Sequence, residues 1–219
     1  MLEVDGNRYF IDMGMIIEHK LVEHNIDCKT IKGIFVTHMH PDHTSGLPSF
    51  LYLADCYFKD CLPKVLLPQE KAVEGLLNWI NCNRFDNFGC ENLKVDINVY
   101  NSGEIYNDGI ITVIAIPNKH IPDSYSFLIK TKDENIIFTG DISNPKNDFP
   151  SLMPNEKIDL LICEAAHFSP EDYILIFKKY DIKKICFNHY SESKINEITM
   201  LKTIFNNIQI LSDDFNIET

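Results

Sequence analysis

Thr37-His38-Met39-His40-Pro41-Asp42-His43 follows directly on the apolar run Ile34-Phe35-Val36 and places three imidazoles and a carboxylate within six positions. Histidine is the commonest side-chain metal ligand, and aspartate adds a hard anionic oxygen beside it. Side chains of an extended segment alternate in direction, so His38 and His40 share one side. Asp42 and His43, set off by the turn that Pro41 opens, can then be aimed at a second point nearby. One short loop could feed two adjacent ions, and two ions about 3.5–4 Å apart clamp both the attacking and the leaving oxygen of a hydrolysis. The competing explanation is a purely structural zinc site, but such sites are typically four-coordinate and rich in cysteine. None of the seven cysteines lies within nine residues of this cluster.

Outward from the loop, the pattern alternates between extended and helical segments. Leu2–Val4 and Tyr9–Ile11 read as strands joined by the hairpin turn Asp5-Gly6-Asn7, and Ile16–Asn25 as a helix. A helix-like segment runs from Gly46 through Leu53, Val65–Leu67 reads as a buried strand, and Gln69–Asn81 as an amphipathic helix. Strands are expected at Ile97–Tyr100, Ile110–Ile116, Ser126–Lys130 and Ile136–Thr139. Then come strand Leu160–Cys163, helix Pro170–Tyr180, strand Lys184–Phe187, helix Lys194–Phe205 and a last strand Gln209–Leu211. This order suggests two sheets covered by helices, an α/β fold of the αββα four-layer sandwich type, in a single domain spanning 1–219.

More ligands than the first cluster offers are needed for two ions, and the strand ends supply candidates. His120 follows the strand Ile110–Ile116, Asp141 follows Phe138-Thr139-Gly140, and His189 follows Phe187-Asn188. Gly140 lets the backbone turn so that the Asp141 carboxylate projects from the sheet edge. His19 and His24 sit on the early helical stretch and read as surface residues. Trp79 lies in an apolar spacing that reads as core, and Cys163 and Cys186 lie in apolar strands as plain core residues.

With these residues in place, the chain resembles the metallo-β-lactamase superfamily, most closely the ribonuclease Z and small-phosphodiesterase branch. The likeness rests on His38-x-His40-x-Asp42-His43, on Phe10-Ile11-Asp12-Met13-Gly14, and on His120-Ile121-Pro122-Asp123-Ser124-Tyr125-Ser126-Phe127. In the last segment Ser126 and Phe127 replace the usual Gly and Tyr of the branch. The resemblance implies one metal held by His38, His40 and His120, a second held by Asp42, His43 and His189, and Asp141 bridging the two. It implies that Asp12 steadies the metal loop by hydrogen bonding. It also implies that Glu164 and His167 lie near the leaving group, with Ser169 capping the helix that begins at Pro170. The alternative for Glu164 and His167 is a solvated loop pair. The opening strand looks like the family's second, so the usual first strand is expected to be short or absent.

Charge and composition bound the substrate. With 32 acidic and 20 basic residues the net charge is −12, which repels polyanions at long range. The branch members that process tRNA carry a long arm and basic surfaces, and no such insertion stands out here. The expected partner is therefore a small anionic molecule, with large RNA set aside, no membrane association, and a homodimer left open. No apolar run reaches the roughly 18–20 residues of a membrane span, and no secretory signal stands at the N-terminus. An odd number of irregularly spaced cysteines fits reduced thiols, so the cytoplasm is expected.

The function expected from all this is hydrolysis of a small phosphodiester by a hydroxide bridging two divalent ions. Zinc is the first choice for the ions, with manganese and iron as alternatives. Asp42 and Asp141 would orient that hydroxide, and His167, held by Glu164, would protonate the leaving oxygen. Two rivals stand beside it: lactone, thioester or β-lactam hydrolysis on the same metals, and a sensor that keeps the metals without turnover.

Overall fold

Asp5 and Gly6 both adopt positive φ, 49° and 75°, the backbone of a tight hairpin turn, and so the chain opens as an antiparallel pair. The computed structural model describes residues 1–58, 60–82, 94–152 and 157–211. The stretch 82–92, whose Asn, Asp, Gly and Cys content reads as a loop, lies mostly outside the described residues together with Cys90, as do residues 153–155 of the stretch 143–155, also read as a loop. The chain divides into two compact units, Met1–Asn101 and Ser102–Thr219.

The first unit holds strands β1 (Leu2–Val4), β2 (Asn7–Ile11), β3 (Ile31–Phe35), β4 (Lys64–Leu67) and β5 (Asp96–Val99), in that spatial order. After the antiparallel β1–β2 pair, the remaining pairings are parallel, with Ile11 opposite Phe35 and Phe35 opposite Leu66. Parallel strands need crossover connections, and helices α1 (Ile17–Glu23), α2 (Pro41–Thr44), α3 (Leu47–Cys56) and α4 (Glu70–Cys82) lie between them. Phe10, Ile34, Val36, Val65 and Leu67 from the sheet pack with Leu21, Leu47, Phe50, Leu51, Leu76 and Ile80 from the helices. In α4 the buried stripe is Leu76 and Ile80, four residues apart, whereas Trp79 is 45% exposed. The core reading of Trp79 is thus corrected: one position off the stripe turns it about 100° toward water.

Among the described residues the second unit carries seven strands, in the order β12-β11-β10-β9-β8-β7-β6. They are β6 (Gly103–Asn107), β7 (Thr112–Pro117), β8 (Tyr125–Lys130), β9 (Asn135–Phe138), β10 (Ile158–Glu164), β11 (Ile182–His189) and β12 (Ile208–Ile210). The β6–β9 pairings are antiparallel and the β9–β12 pairings parallel. Between Cys163 and Glu164 the register shifts, so that Cys163 faces Phe187 but Glu164 faces His189. Helices α5 (Pro145–Asp148), α6 (Ile174–Lys179) and α7 (Ile195–Lys202) complete the unit. Its core joins Ile137, Leu161, Cys163, Tyr173, Phe177, Phe187, Ile198 and Leu201. Two mixed sheets with flanking helices are therefore present, as the element order implied.

Candidate metal centre

In the first unit the site begins at the carboxyl ends of two adjacent parallel strands, where α/β sheets gather their ligand-binding loops. Strand β2 ends into Asp12 and β3 ends into Thr37, and the Asp12 amide still donates to the Phe35 carbonyl at 2.9 Å. The Asp12 carboxylate accepts the Thr37 amide at 2.7 Å, the Thr37 hydroxyl at 2.9 and 3.1 Å, and lies 2.7 Å from Nδ1 of His43. Thr37 Oγ1 also lies 3.0 Å from Nδ1 of His38. These bonds direct Nε2 of His38 and of His43 to the opposite side of each ring. The His38 ring centroid is 4.6 Å from that of His40 and 4.2 Å from that of His43. His38 and His43 are buried, while the Asp42 side chain is exposed, 3.6 Å from Nε2 of His43.

Close backbone approach fixes this loop. A Cβ on Gly14 would stand 2.1 Å from the Asp42 carbonyl oxygen, and one on Gly46 would stand 2.2 Å from the Gly14 carbonyl oxygen. The Met13 amide donates to the His43 carbonyl at 2.7 Å, and the Gly46 amide to the Met13 carbonyl at 3.1 Å. Nothing in the sequence assigns Thr37 a part in this loop. Its hydroxyl joins Asp12 to His38, a link that no residue pattern announces.

In the second unit the strand-end candidates converge on Asp141. Gly140, at φ 57°, turns the chain so that the Asp141 carboxylate is buried among imidazoles. Nε2 of His120 is 3.7 Å from Asp141 Oδ2, Nδ1 of His167 is 3.9 Å from the same oxygen, and Nδ1 of His189 is 3.9 Å from Oδ1. The His120 and His167 ring centroids are 4.7 Å apart, and the His167 and His189 rings stack at 6.0 Å. His120, Asp141 and His189 are thereby brought together in this unit, with His167 among them.

Glu164 has a different duty from Asp141. Its Oε1 accepts the Ile142 amide at 2.6 Å, and its Oε2 accepts the amides of Ala166 and His167 at 3.2 and 3.3 Å and lies 2.7 Å from His167 Nδ1. Burial pushes the Glu164 carboxyl above the usual carboxylate range, the Ile142 amide draws it back, and the neighbouring Asp141 charge adds to the rise. Held at Nδ1, His167 turns Nε2 outward, and the residue is partly exposed, at 39% of its side chain. Ser169 occupies the position before Pro170, but its hydroxyl donates to Glu197 at 3.1 Å and makes no cap bond. The capping role is corrected accordingly; a short 3-10 turn, Pro170–Tyr173, precedes α6.

Both groups suit a divalent cation. The His120–Asp141 and His189–Asp141 separations of 3.7 and 3.9 Å are too long for hydrogen bonds. They match two donors that each hold a shared ion at about 2.0–2.2 Å. Imidazole and carboxylate together are the donor set of zinc, manganese and iron sites. Hydrogen bonds from the far ring nitrogen to a carboxylate or hydroxyl are what metal-ligating histidines ordinarily show. Among the described residues, no helix is long and apolar enough to cross a membrane.

Comparison with known proteins places these features. A sequence model of the family described as "Anti-Pycsar protein Apyc1" matches residues 1–199. Ribonuclease Z of Sulfolobus acidocaldarius is 23% identical over 189 residues, covering 83% of this chain and 59% of that protein. For another relative, the ribonuclease Z of Acaryochloris marina, the covered share of that protein is 38%. The chain thus spans about two fifths to three fifths of the length of these curated relatives. Among solved structures, the short form of human tRNase Z superposes with a TM-score of 0.73 at 18% identity, covering 99% of this chain and 90% of that one. A diphosphatase of the PhnP family gives 0.72 at 19% identity, covering 99% and 82%. At such identities the structures show the fold. The relatives correct one expectation: setting large RNA aside in favour of a small anionic partner does not stand beside chains named ribonuclease Z. The physical reason is that a net charge of −12 is a sum over the whole surface. At physiological salt its reach is cut to about 8 Å, so local contacts decide what binds. The chain belongs to the family described as Anti-Pycsar protein Apyc1, within the ribonuclease Z branch of the metallo-β-lactamase superfamily.

Proposed function

We propose that the protein is a dinuclear metal-dependent phosphodiesterase acting as one hydrolase domain over 1–219. In this reading His38, His40 and His120 hold one divalent ion, Asp42, His43 and His189 hold the other, and Asp141 is shared. Zinc is the first choice, on the donor set. The observation that carries it is the buried Asp141 carboxylate with the His120 and His189 imidazoles at 3.7 and 3.9 Å, beside a His167 already gripped by Glu164. The family match, which runs through both units, supports it further.

Two bound divalent ions would supply Lewis acidity and a water of lowered pKa. The protein's own residues then do three things. Asp12 and Thr37 hold the His38 and His43 rings in one orientation. Asp141, withdrawn from solvent, would offer its charge to a bound cation, and a buried charge acts most strongly. His167, with Nδ1 held by Glu164, presents Nε2–H to the departing oxygen and delivers the proton that a phosphodiester leaving group requires.

Purified protein assayed with bis(p-nitrophenyl) phosphate, a nucleotide phosphodiester and a tRNA precursor, beside lactone and thioester panels, tests this. Metal-dependent cleavage of phosphodiesters is the expected result. Strong lactone or thioester turnover with no phosphodiester cleavage would overturn it.

A further inference from the structure

Asp148 closes the four-residue helix α5 and is buried, yet it belongs to none of the ligand groups. Its Oδ1 accepts the Lys119 amide at 2.9 Å, and its Oδ2 accepts that amide at 3.0 Å and the Ser143 amide at 2.7 Å. Lys119 is the residue before His120, and Ser143 stands two after Asp141. Lys119 Nζ adds a bond to the Asn147 carbonyl at 3.0 Å, which fastens the same loop to α5. Next to Asp141, the Ile142 amide goes to Glu164 at 2.6 Å. Consecutive amides after Asp141 are thus taken by two buried carboxylates, and the second also takes the amide before His120.

The topology makes this tie necessary. His120 emerges from β7 and Asp141 from β9, and β8 runs between those strands. Strand pairing ends at Pro117 and Phe138. One further backbone bond follows on each side, from the Asn118 amide to the Ser124 carbonyl and from the Thr139 amide to the Ile162 carbonyl, both at 3.0 Å and both short of the ligands. Beyond them the chain is loop, and a loop's end-to-end spacing is soft unless something spans it. Hydrogen bonds to an ionised carboxylate are short and roughly twice as strong as neutral ones, which suits them to that work. Asn118 completes the hold on the His120 side, its Oδ1 accepting the His120 amide at 3.2 Å.

We propose that Asp148 is a positioning residue that sets the spacing of His120 and Asp141, 3.7 Å between Nε2 and Oδ2, and through it the metal affinity of the pair. The inference rests on the metal-centre reading above. The residue touches neither metal nor substrate; it acts through two backbone amides.

The test measures Zn²⁺ affinity by chelator competition for wild type, Asp148→Ala and Asp148→Asn, and amide hydrogen exchange on the metal-free proteins. Asp148→Ala should weaken zinc by about 10–100-fold, the usual cost of removing a group that orients a ligand. Asp148→Asn keeps one acceptor oxygen and should recover part of the loss. Exchange should speed up at Lys119 and Ser143 while the β7–β8 ladder amides stay protected. Asp55→Asn is the control, because it weakens another buried carboxylate bond, to the Lys94 amide, within the first unit. It should leave zinc affinity unchanged. Wild-type zinc affinity in either folded Asp148 variant, an equal loss in Asp55→Asn, or unprotected Lys119 and Ser143 amides in the wild type would each overturn the proposal. A wild-type protein that binds no zinc would instead remove the metal-centre reading, while the exchange pattern would still report on the tie.

Discussion

Asp12 Oδ2 lies 2.7 Å from Nδ1 of His43, although 31 residues separate the two. Asp12 reaches it from the left-handed region, at φ 61°, where a residue with a side chain is uncommon and pays a conformational cost. The bonds to the Thr37 amide and hydroxyl hold it there. Asp12→Ala should therefore cost about 1–3 kcal/mol of stability, because the Thr37 amide loses its acceptor. It should also cost about 10–100-fold in metal affinity, because the His43 ring loses its anchor. Asn tolerates φ > 0 and keeps one acceptor, so Asp12→Asn should retain more stability than affinity. Urea midpoints and chelator competition on the same samples check both.

His167→Ala should leave metal content unchanged and slow phosphodiester cleavage by about 10²–10⁴-fold for poor leaving groups, the span general acids contribute. The effect should shrink for aryl leaving groups that depart without a proton. Glu164→Gln should show the same leaving-group pattern more weakly, since Glu164 acts by holding Nδ1 at 2.7 Å. A series of aryl phosphodiesters of graded leaving-group pKa reads this directly, and equal slowing across the series would sink the acid role.

Three glycines should respond to alanine in opposite senses. Gly14→Ala and Gly46→Ala drive a methyl to 2.1 and 2.2 Å from backbone oxygens that cannot yield cheaply, so both should lose stability and metal together. Gly75 sits exposed within α4 with nothing near a new Cβ. Gly75→Ala should stabilise the fold by about 1 kcal/mol through helix propensity. Thermal midpoints of the three variants decide the matter.

Buried thiols should make the fold sensitive to alkali. Burial pushes Cys61 up to about 12, with its neighbour Cys28 adding to the rise, and pushes Cys186 up to about 11. A group raised in the folded state contributes its stability in full below the unfolded thiol value, about 8.5, and loses it as pH climbs through the folded value. Stability should thus fall from about pH 8.5 upward, by at most about 1.4 kcal/mol per pH unit for each such thiol. Cys61→Ala should flatten that slope in urea melts. Among the described cysteines, native alkylation near pH 8 should strike the exposed Cys82 and spare the buried Cys61, Cys163 and Cys186.

What could be read in advance divides along physical lines. The parallel strands were legible because burial makes them short apolar runs, as with Ile34 to Val36 and Leu160 to Cys163. Asp141 and His189 were legible because each follows such a run directly. Strand β6 carries no such signal: Gly103, Glu104 and Asn107 are exposed on a sheet edge, so no alternation marks it. The helix expected over Pro170–Tyr180 begins instead as a 3-10 turn, a distinction that hydrophobic spacing does not resolve. Asp148 carries no signature, since its importance lies in two amides brought to it by folding. His19 and His24 are exposed, as expected of surface residues on the early helical stretch.

The register shift between Cys163 and Glu164 makes the end of β11 a place where counting matters more than chemistry. Had pairing continued regularly, Asn188 would stand beside Glu164; the shift brings His189 there instead, and the Ala165 amide locks it through the His189 carbonyl at 2.7 Å. Side chains on a strand change sides with every residue, so an odd insertion or deletion here would send His189 to the far face. The spacing between Phe187 and His189 behaves as a reading frame written in space. Substitutions at Asn188 can be absorbed, but a change of one in length cannot.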